Sequence, residues 1–325
     1  MGYAVVIGEA LVDLLDGQVD GEPVYRQMIG GAPLNVAVGA ARLGSAVEFV
    51  GSLGDDVLAG RIRALLADAG VGQRGVVTVP APTALAVATF AGAEPDFRFY
   101  GEPPSYGLLE ADALDQDLIR AASVLYCGSI ALLRAPVLAA ARRAWSLTTG
   151  RRVFDPNVRP RLLPDAAAMD RLRALVAEFA ASADLVKLSA ADAALLYPGQ
   201  PLERVAQRLR ALGCAAVVVT RGPAGALVTA GTGDELVSVP APEVDAVDAT
   251  GAGDSVMGAL IADLLLAGPP APEDWPERVT YALRVAGLVC EAPGAAVAMP
   301  TRAQVASRFP TPIRGRDQVS PRSSA

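Results

Sequence analysis

The sequence predicts an α/β protein built on a three-layer, doubly wound, mostly parallel β-sheet that carries a small β-sheet lid. Two observations support the large sheet: from about residue 122 strand and helix patterns alternate strictly, and strand runs such as AAVVV are almost wholly apolar. Strands of that kind belong to parallel sheets covered by helices on both faces. The lid follows from a third observation, because residues 75–100 hold short β runs with no helical period between them.

The first elements of the chain follow the same α/β pattern. YAVVIG is the first predicted strand, and GGAPLNVAVGAARLG opens a helix of small residues that ends at Gly44. VEFVG then predicts a strand and DVLAGRIRALLADAG a helix. Three β runs follow, namely GVVTVP, TALAVATF and FRFY, broken by proline and glycine. We expect these runs to pair with residues of about 10–29 and to form the lid sheet.

The later strands and helices complete one domain. The strands read SVLYCGS, RRVFDPN, DLVKLS and AAVVVTRG, and helices are predicted between them near residues 135–148, 166–181 and 201–212. The second helix shows the apolar spacing of one buried face, at Leu172, Leu175, Val176 and Phe179. Residues 1–310 therefore form an α/β domain, with lid segments at about 10–29 and 75–108 inserted. Residues 311–325 are polar and contain proline, which is typical of a flexible tail.

The composition excludes several classes of function. The 325 residues carry a net charge of -7 and no basic stripe, so we expect no nucleic-acid partner. No apolar run reaches the length of a membrane span, so we expect no membrane partner. The three cysteines are odd in number and far apart, which indicates reduced thiols in a cytoplasmic protein.

Two features of the composition restrict the chemistry. The sequence contains no histidine, which rules out a histidine-based triad, a histidine metal site and an imidazole proton shuttle. A general base must then be aspartate or glutamate, with tyrosine, cysteine and lysine as weaker candidates. The single lysine is Lys187, and neither GxxxxGKS nor GxxxxGKT is present, so a Walker-type phosphate loop is excluded.

Four loops are expected to meet at one edge of the large sheet. Ligands of doubly wound sheets bind outside the carboxyl ends of the strands. That rule brings together residues 155–159, 187–192, 220–225 and 249–254. The convergence of these loops predicts a ligand site.

The most informative stretch is VDATGAGDSVMGAL at residues 247–260. Its glycines lie ahead of a helix, where backbone amides and the helix dipole favour an anion, and Asp254 lies beside them. Such a site could stabilise a transferring phosphoryl group while the carboxylate accepts a hydroxyl proton. The same residues could also form a plain strand-to-helix turn capped by Thr250 or Asp254.

Two separated motifs give the chain a family resemblance. GGAPLNVAVGAARLG at residues 30–44 and DATGAGD at residues 248–254 resemble the signatures of the PfkB, or ribokinase-like, family of carbohydrate kinases. GEALVDLL, GSLGDD, ASVLYCGSIALL and FDPNVRP are similar to the fructokinase branch of that family. The similarity covers nearly the whole chain except the tail. It implies a ribokinase-like fold and transfer of a phosphoryl group from ATP to a sugar hydroxymethyl group, with Mg²⁺ bridging the phosphates.

The resemblance also implies the catalytic residues. Asp254 matches the base that deprotonates the attacking hydroxyl, and the amides of Gly251, Ala252 and Gly253 match the anion hole. Arg159, in DPNVR, is expected to orient the phosphoryl group or the sugar, because an arginine fork suits an anion.

The sugar-binding residues are expected mainly in the first part of the chain. Four positions match the family's sugar-contacting residues, namely Asp13, Gly30, Gly31 and Asn35. The two glycines also suit a hinge between lid and domain. The lid arginine expected after FY is replaced by Gly101, and we expect Arg98, two residues before Tyr100, to contact the sugar instead.

The nucleotide-binding residues are expected at the other strand ends. Five positions are expected to contact ATP, namely Lys187, Ser189, Thr220, Gly222 and Gly225. The family's NxxE element, which orders water around Mg²⁺, corresponds here to SAAD, so Asp192 is the expected indirect magnesium ligand. Leu283 replaces the asparagine beside the adenine, so contacts to the base should be mainly apolar. Asp248 and Thr250 are the expected neighbours of a monovalent cation, K⁺.

The resemblance therefore implies an ATP-dependent sugar kinase, with fructose as the favoured acceptor. 2-Keto-3-deoxygluconate, ribose and a nucleoside stay open as acceptors, and Arg98 and Arg159 suit an acidic sugar. A catalytically silent sugar sensor is a further alternative, against which the intact Asp254 argues. Because a lid sheet exposes its edges, we also expect a homodimer formed through the lid.

Overall fold

Two β-sheets and ten α-helices make up the part of the chain that the computed structural model describes, which is residues 2–91, 94–231 and 235–310. The predicted tail, residues 311–325, lies outside the described residues. Within the described residues, no helix is long and apolar enough to cross a membrane.

The structure contains the following strands and helices in chain order. The strands are β1 Ala4–Ile7, β2 Leu11–Val19, β3 Glu22–Gly30, β4 Val47–Leu53, β5 Gly72–Thr78, β6 Leu85–Ala91, β7 Glu94–Tyr100, β8 Val124–Gly128, β9 Arg151–Asp155, β10 Leu185–Ser189, β11 Ala216–Thr220, β12 Ala226–Ala230 and β13 Val237–Val239. The helices are α1 Ala32–Arg42, α2 Val57–Asp68, α3 Gln116–Arg120, α4 Ala135–Leu147, α5 Ala166–Ala180, α6 Ala190–Leu196, α7 Leu202–Ala211, α8 Ala252–Ala267, α9 Trp275–Cys290 and α10 Arg302–Arg308.

The large sheet is wound in two directions. Its order is β13-β12-β11-β10-β9-β8-β1-β4-β5, in which β12 and β13 pair antiparallel at one edge and the other strands are parallel. From β1 the chain winds outward through β4 and β5, and from β8 it winds the other way to β11. The boundary between β1 and β8 is therefore the switch point, where doubly wound sheets bind ligands.

Helices cover both faces of the large sheet and bury two hydrophobic cores. The helices α1, α2, α8 and α9 pack on one face, around residues such as Phe49 and Tyr126. The helices α4, α5 and α7 pack on the other face, where the rings of Phe154 and Phe179 stack with centroids 5.1 Å apart. The predicted three-layer, doubly wound architecture is confirmed.

The small sheet has the order β3-β2-β6-β7. Its long hairpin of β2 and β3 turns at Asp20 and Gly21, whose φ angles of 51° and 80° suit the tight turn that matches the strand twist. β2 pairs with β6, and β6 with β7. The expected pairing of residues near 10–29 with TALAVATF is therefore confirmed, and FRFY joins the same sheet by pairing with TALAVATF.

Part of the predicted lid belongs to the main domain instead. The run GVVT lies in β5, which pairs parallel with β4 at the edge of the large sheet. Residues 101–108 also lie outside the lid sheet, since Tyr106 is buried in the core and Ser52 Oγ donates to the Ser105 carbonyl oxygen at 2.7 Å. The predicted segment 75–108 is too long at both ends, because a short apolar run between turns suits an edge strand of either sheet.

Candidate active site

The glycine-rich turn starts α8. Gly251 is the N-cap residue with a φ of 78°, and a Cβ there would lie 2.6 Å from Ala295 Cβ, so both conformation and contact require glycine. No side chain caps the helix, and Thr250 Oγ1 donates to Asp248 at 2.6 Å. The amides of a first helical turn have no acceptor within the helix, although that of Ala252 donates to a loop carbonyl oxygen at 3.2 Å. The alternative of a plain turn capped by the Thr250 or Asp254 side chain is therefore wrong.

Asp254 lies buried in the first turn of α8, with 9% of its surface exposed. Its Oδ2 accepts a hydrogen bond from Asn35 Nδ2 at 2.8 Å. Burial raises the pKa of Asp254, against the lowering effects of the Lys187 ammonium and the Asn35 hydrogen bond. A carboxylate with a raised pKa suits a general base. Asn35 Oδ1 is buried without a hydrogen-bond partner among the described residues, an acceptor that a ligand hydroxyl would satisfy.

A close crossing of α1 and α8 brings Asn35 and Asp254 together. A Cβ on Gly258 would lie 3.0 Å from the Val36 carbonyl oxygen, and one on Gly39 would lie 3.9 Å from Gly258 Cα. Each of these glycines follows its functional residue by one helical turn, on the same helix face. The small side chains at the crossing thus allow the backbone approach that the Asn35 to Asp254 hydrogen bond needs.

Asp13 lies near the start of β2, beside the diglycine. A Cβ on Gly30 would lie 2.1 Å from Asp13 Oδ2, and one on Gly31, whose φ is 112°, would lie 2.6 Å from a backbone carbonyl oxygen. Burial raises the pKa of Asp13 to about 6, while Arg159 lowers it and Asp254 raises it further. These three charged groups, predicted from separate motifs, therefore lie close enough to interact.

A buried ion pair lies beneath the turn. Lys187 Nζ donates to Asp155 Oδ2 at 2.7 Å, and the two residues are 3% and 0% exposed. Burial lowers the pKa of Lys187, but the carboxylates of Asp155 and Asp192 outweigh that effect, so the pKa is raised and the amine stays protonated. A Cβ on Gly253 would lie 3.1 Å from Lys187 Nζ, so the ammonium lies against the start of α8.

The short helix α6 was not predicted from the sequence, although it carries two of the predicted residues. Ser189 and Asp192 form a capping box, in which Asp192 N donates to Ser189 Oγ at 3.0 Å and Ser189 N donates to Asp192 Oδ2 at 2.8 Å. Asp192 Oδ1 accepts from Val158 N at 2.8 Å. The spacing of the serine and the acid in SAAD is the signal that could have identified this helix.

The loop between β11 and β12 carries the other predicted nucleotide residues. Thr220 ends β11, and Gly225 N donates to the Gly222 carbonyl oxygen at 3.0 Å. A Cβ on Gly225 would lie 2.0 Å from the Val239 carbonyl oxygen, so strand packing alone requires this glycine. Around Gly222 the space is open. The loop lies at the carboxyl end of β11, on the rim that β9 and β10 also end on.

The remaining predicted residues lie in the lid and just before the glycine-rich turn. Arg98 is exposed on β7, opposite Val87 of β6. Asp248 accepts from the amide and hydroxyl of Thr250 and from Gly294 N at 2.9 Å. Burial raises the pKa of Asp248, but these hydrogen bonds outweigh that effect and lower it, so the group stays ionised.

Glu9 is a buried carboxyl group at the switch point that the sequence patterns did not single out. It is 1% exposed, and Ala131 N donates to its Oε2 at 3.1 Å, which links the end of β1 to the end of β8. Ser129 also hydrogen-bonds to Glu9, and Asn157 Nδ2 donates to Ser129 Oγ at 3.3 Å. Ser129 and Asn157 both have positive φ angles, of 65° and 38°. An acid directly after a buried strand was the available signal.

The Glu9 carboxyl group is expected to make stability depend on pH. Burial raises its pKa from 4.5 to about 7, so the folded protein binds this proton more tightly than the unfolded chain does. Its contribution to the free energy of unfolding therefore falls as pH rises through that window. Glu9→Gln should remove this decline, worth at most about 3 kcal/mol. Urea unfolding at pH 5 and pH 8 measures it, and parallel changes in wild type and variant would contradict the assignment.

The comparisons with known proteins agree with this geometry. Residues 1–302 match the family described as pfkB family carbohydrate kinase. The chain belongs to this family. The resemblance predicted from the two motifs is therefore confirmed, and the protein is a carbohydrate kinase, a phosphotransferase with an alcohol acceptor.

This carbohydrate kinase has relatives along nearly its full length. Fructokinase-1 of Zea mays is 33% identical over 314 residues, which cover 93% of this chain and 95% of the maize protein. The crystal structure of fructokinase from Xylella fastidiosa with bound ATP superposes with a TM-score of 0.84 at 30% identity, covering 94% of this chain and 97% of that one. Aminoimidazole riboside kinase from Salmonella enterica, complexed with aminoimidazole riboside and an ATP analogue, has a TM-score of 0.81 at 28% identity, covering 94% and 99%.

Proposed function

We propose that this carbohydrate kinase phosphorylates fructose at a terminal hydroxymethyl group with ATP. The observation that carries the proposal is the buried Asp254 carboxylate at the start of α8, hydrogen-bonded by Asn35 and next to the amides of the glycine-rich turn. The similarity to the fructokinases of Zea mays and Xylella fastidiosa favours fructose as the acceptor.

In the proposed reaction Asp254 accepts the proton of the sugar hydroxyl. The hydroxyl oxygen forms a bond to the γ-phosphorus while the bond from that phosphorus to the β,γ-bridging oxygen breaks, and ADP leaves. Negative charge on the transferring group is stabilised by the N-terminal end of α8 and by the amides of Gly251, Ala252 and Gly253. The carboxylate thus acts on the sugar hydroxyl, while the amides and the helix dipole act on the transferring phosphoryl group.

The sugar is bound in this proposal from the lid side. Asp13 accepts hydrogen bonds from its hydroxyls, and the unpartnered Asn35 Oδ1 supplies a further acceptor. The diglycine of Gly30 and Gly31 lets the backbone approach the sugar and serves as the hinge of the lid. Arg159 orients the phosphoryl group or the sugar, and Arg98 reaches the sugar from β7.

The nucleotide is bound in this proposal at the ends of β10 and β11, by Lys187, Ser189, Thr220, Gly222 and Gly225. When bound, Mg²⁺ neutralises charge between the ATP phosphates. The described residues contain no group of three or more acidic, cysteine or histidine side chains able to hold a metal. A carboxylate has about four lone-pair positions, so Asp192 keeps room to order a water molecule near that ion.

Three further properties belong to the proposal. Asp248 and Thr250 border a K⁺ site, which the ionised state of Asp248 supports. Replacing K⁺ by Na⁺ in the assay tests this site.

The protein is a homodimer formed through the lid, where Val19, Tyr25 and Tyr100 are each more than half exposed. A sedimentation profile that shows only monomer would contradict the homodimer. The three free cysteines support a reducing, cytoplasmic environment.

The test of the proposed function is a coupled assay of ADP release with MgATP and a panel of acceptors. The panel contains fructose, 2-keto-3-deoxygluconate, ribose, tagatose and adenosine. We expect the highest kcat/KM with fructose. Highest activity with another acceptor would reassign the substrate, and tight sugar binding without ADP release would replace the kinase by a sugar sensor.

The acidic sugar 2-keto-3-deoxygluconate is the second candidate acceptor. The observation in its favour is Arg159, an exposed residue whose Nη1 donates to the Val158 carbonyl oxygen at 3.2 Å and whose charge lowers the pKa of Asp13. An arginine at that point suits the carboxylate of an acid sugar. Arg159→Ala would then raise the KM for the acidic sugar much more than the KM for fructose.

A further inference from the structure

Lys187 is the single lysine of the sequence, and it is buried. The sequence has 28 lysine and arginine residues, and every one except Lys187 is arginine. Most basic side chains of a protein lie at its surface, yet this one is fully buried on β10 and paired with Asp155. A position that uses lysine in a chain otherwise supplied with arginine indicates a requirement for a compact ammonium group.

The space around the ammonium explains that requirement. A Cβ on Gly253 would lie 3.1 Å from Lys187 Nζ, so the charge lies directly against the backbone of the anion-hole turn. The planar guanidinium fork of an arginine is wider than an ammonium and would push into this turn. Asp254 is the next residue along the chain, so the same charge lies close to the proposed base.

Other charged and titratable groups face the ammonium from each element packed around it. Asp155 approaches from β9, Asp192 from α6 and Asp254 from α8, and all three favour its protonated form. The hydroxyl of Tyr126, on β8, is buried without a hydrogen-bond partner among the described residues and interacts electrostatically with Asp155 and Asp254. Lys187 is thus the fixed cation at the centre of a cluster of acids.

We propose that Lys187 is a positioning residue that holds the turn of residues 251–254 in place and supplies the fixed positive charge beneath both the anion hole and the Asp254 base. This inference rests on the proposed kinase function and adds to it a group that need not touch the sugar. After burial, the Lys187 ammonium is the largest influence on the pKa of Asp254, and it lowers that pKa. The lysine therefore opposes the effect of burial on the pKa of the base.

The decisive measurement is the pH profile of kcat/KM for Lys187→Met and Lys187→Arg. In Lys187→Met the acid limb is expected to move up by about one pH unit or more, and kcat at pH 7 to fall by about 10- to 100-fold. Lys187→Arg keeps the charge, so its acid limb should stay near that of the wild type although its kcat falls. A lysine that only supports packing would lower activity and leave the acid limb in place.

A second variant covers the case in which Lys187→Met does not fold, since that change leaves the Asp155 carboxylate unpaired. The double variant Asp155→Asn with Lys187→Met removes both charges and is expected to fold and to retain the upward shift of the acid limb. A wild-type acid limb in this folded double variant would overturn the inference.

A readout without turnover separates this inference from the proposed function. Protein grown with ¹³C-lysine gives one Cε signal, because the sequence contains one lysine. We expect that signal to shift when Asp254→Asn removes the neighbouring charge. If the wild type released no ADP with any sugar, the proposed function would be wrong, but a shift of the Lys187 Cε signal would still support the coupling of the two charges. An unchanged Lys187 Cε signal in Asp254→Asn would contradict the inference itself.

Discussion

Asp254→Asn is expected to lower the turnover number by a factor of about 10² to 10⁴ while leaving the sugar Kd within about threefold of wild type. The asparagine has nearly the shape of the aspartate, and its side-chain oxygen can still accept the hydrogen bond from Asn35. What it loses is the ability to take a proton from the sugar hydroxyl. Coupled ADP release measures the turnover number, and calorimetric titration measures sugar binding.

A matched control lies on the same helix. Asp263 is a second buried aspartate of α8, paired with Arg278 and far along the helix from the glycine-rich turn. Asp263→Asn removes the same charge from the same element, so it should reduce stability and leave turnover close to wild type. Near-wild-type turnover in Asp254→Asn would mean that another group accepts the proton.

Asp155→Asn is expected to lower the free energy of unfolding by about 3–5 kcal/mol. The change keeps the shape of the side chain but leaves the Lys187 ammonium buried without its carboxylate partner. The cost is large because both members of the pair are removed from water. Urea unfolding at pH 7, with the slope compared between variants, measures it.

An exposed ion pair provides the comparison. Arg142 and Glu178 form a two-pronged pair at 2.7 Å, with about half of each side chain exposed. Glu178→Gln should cost about 1 kcal/mol or less, since water screens and replaces such contacts. If the two substitutions lowered the free energy of unfolding equally, burial would not strengthen the Lys187 to Asp155 ion pair, which would contradict the prediction.

The rim of the site was predictable from the sequence because it follows from strand ends. Once the alternation of strands and helices is recognised, the loops after β9, β10 and β11 must lie side by side, whatever their side chains are. The role expected for Asp254 also agrees with its burial at a helix start. These features depend on local pattern and on a general rule of sheet topology.

The pairings within the site were not predictable, because they join residues far apart in the chain. Lys187 was predicted from the sequence to contact the nucleotide, but its partner Asp155 lies 32 residues away on a neighbouring strand. Asn35 was predicted to contact the sugar, and the sequence did not show that its amide nitrogen donates to Asp254, 219 residues away. Glu9 shows the same limit, since its burial depends on Ala131 from the other side of the switch point.

The predicted bounds of the second lid segment, residues 75–108, were wrong for a related reason. A run such as GVVT has the same tendency to form a strand whether it pairs with β4 or with a lid strand. Its residues alone therefore do not determine the pairing partner. The choice depends on the helix α2, which returns the chain to the edge of the large sheet beside β4.

The crossing of α1 and α8 separates the connection to the lid from the helix contact that holds Asn35 beside Asp254. The β2–β3 hairpin ends at Gly30 and α1 begins at Ala32, so the lid movement proposed above would turn within the diglycine. One turn after Asn35, Gly39 packs against Gly258 and anchors α1 to the helix that carries the base. In that proposal the diglycine lies before the part of α1 that packs on α8, so a rotation there would leave the Asn35 to Asp254 hydrogen bond in place. The proposed cleft could then open and close while the proposed proton acceptor stays aligned.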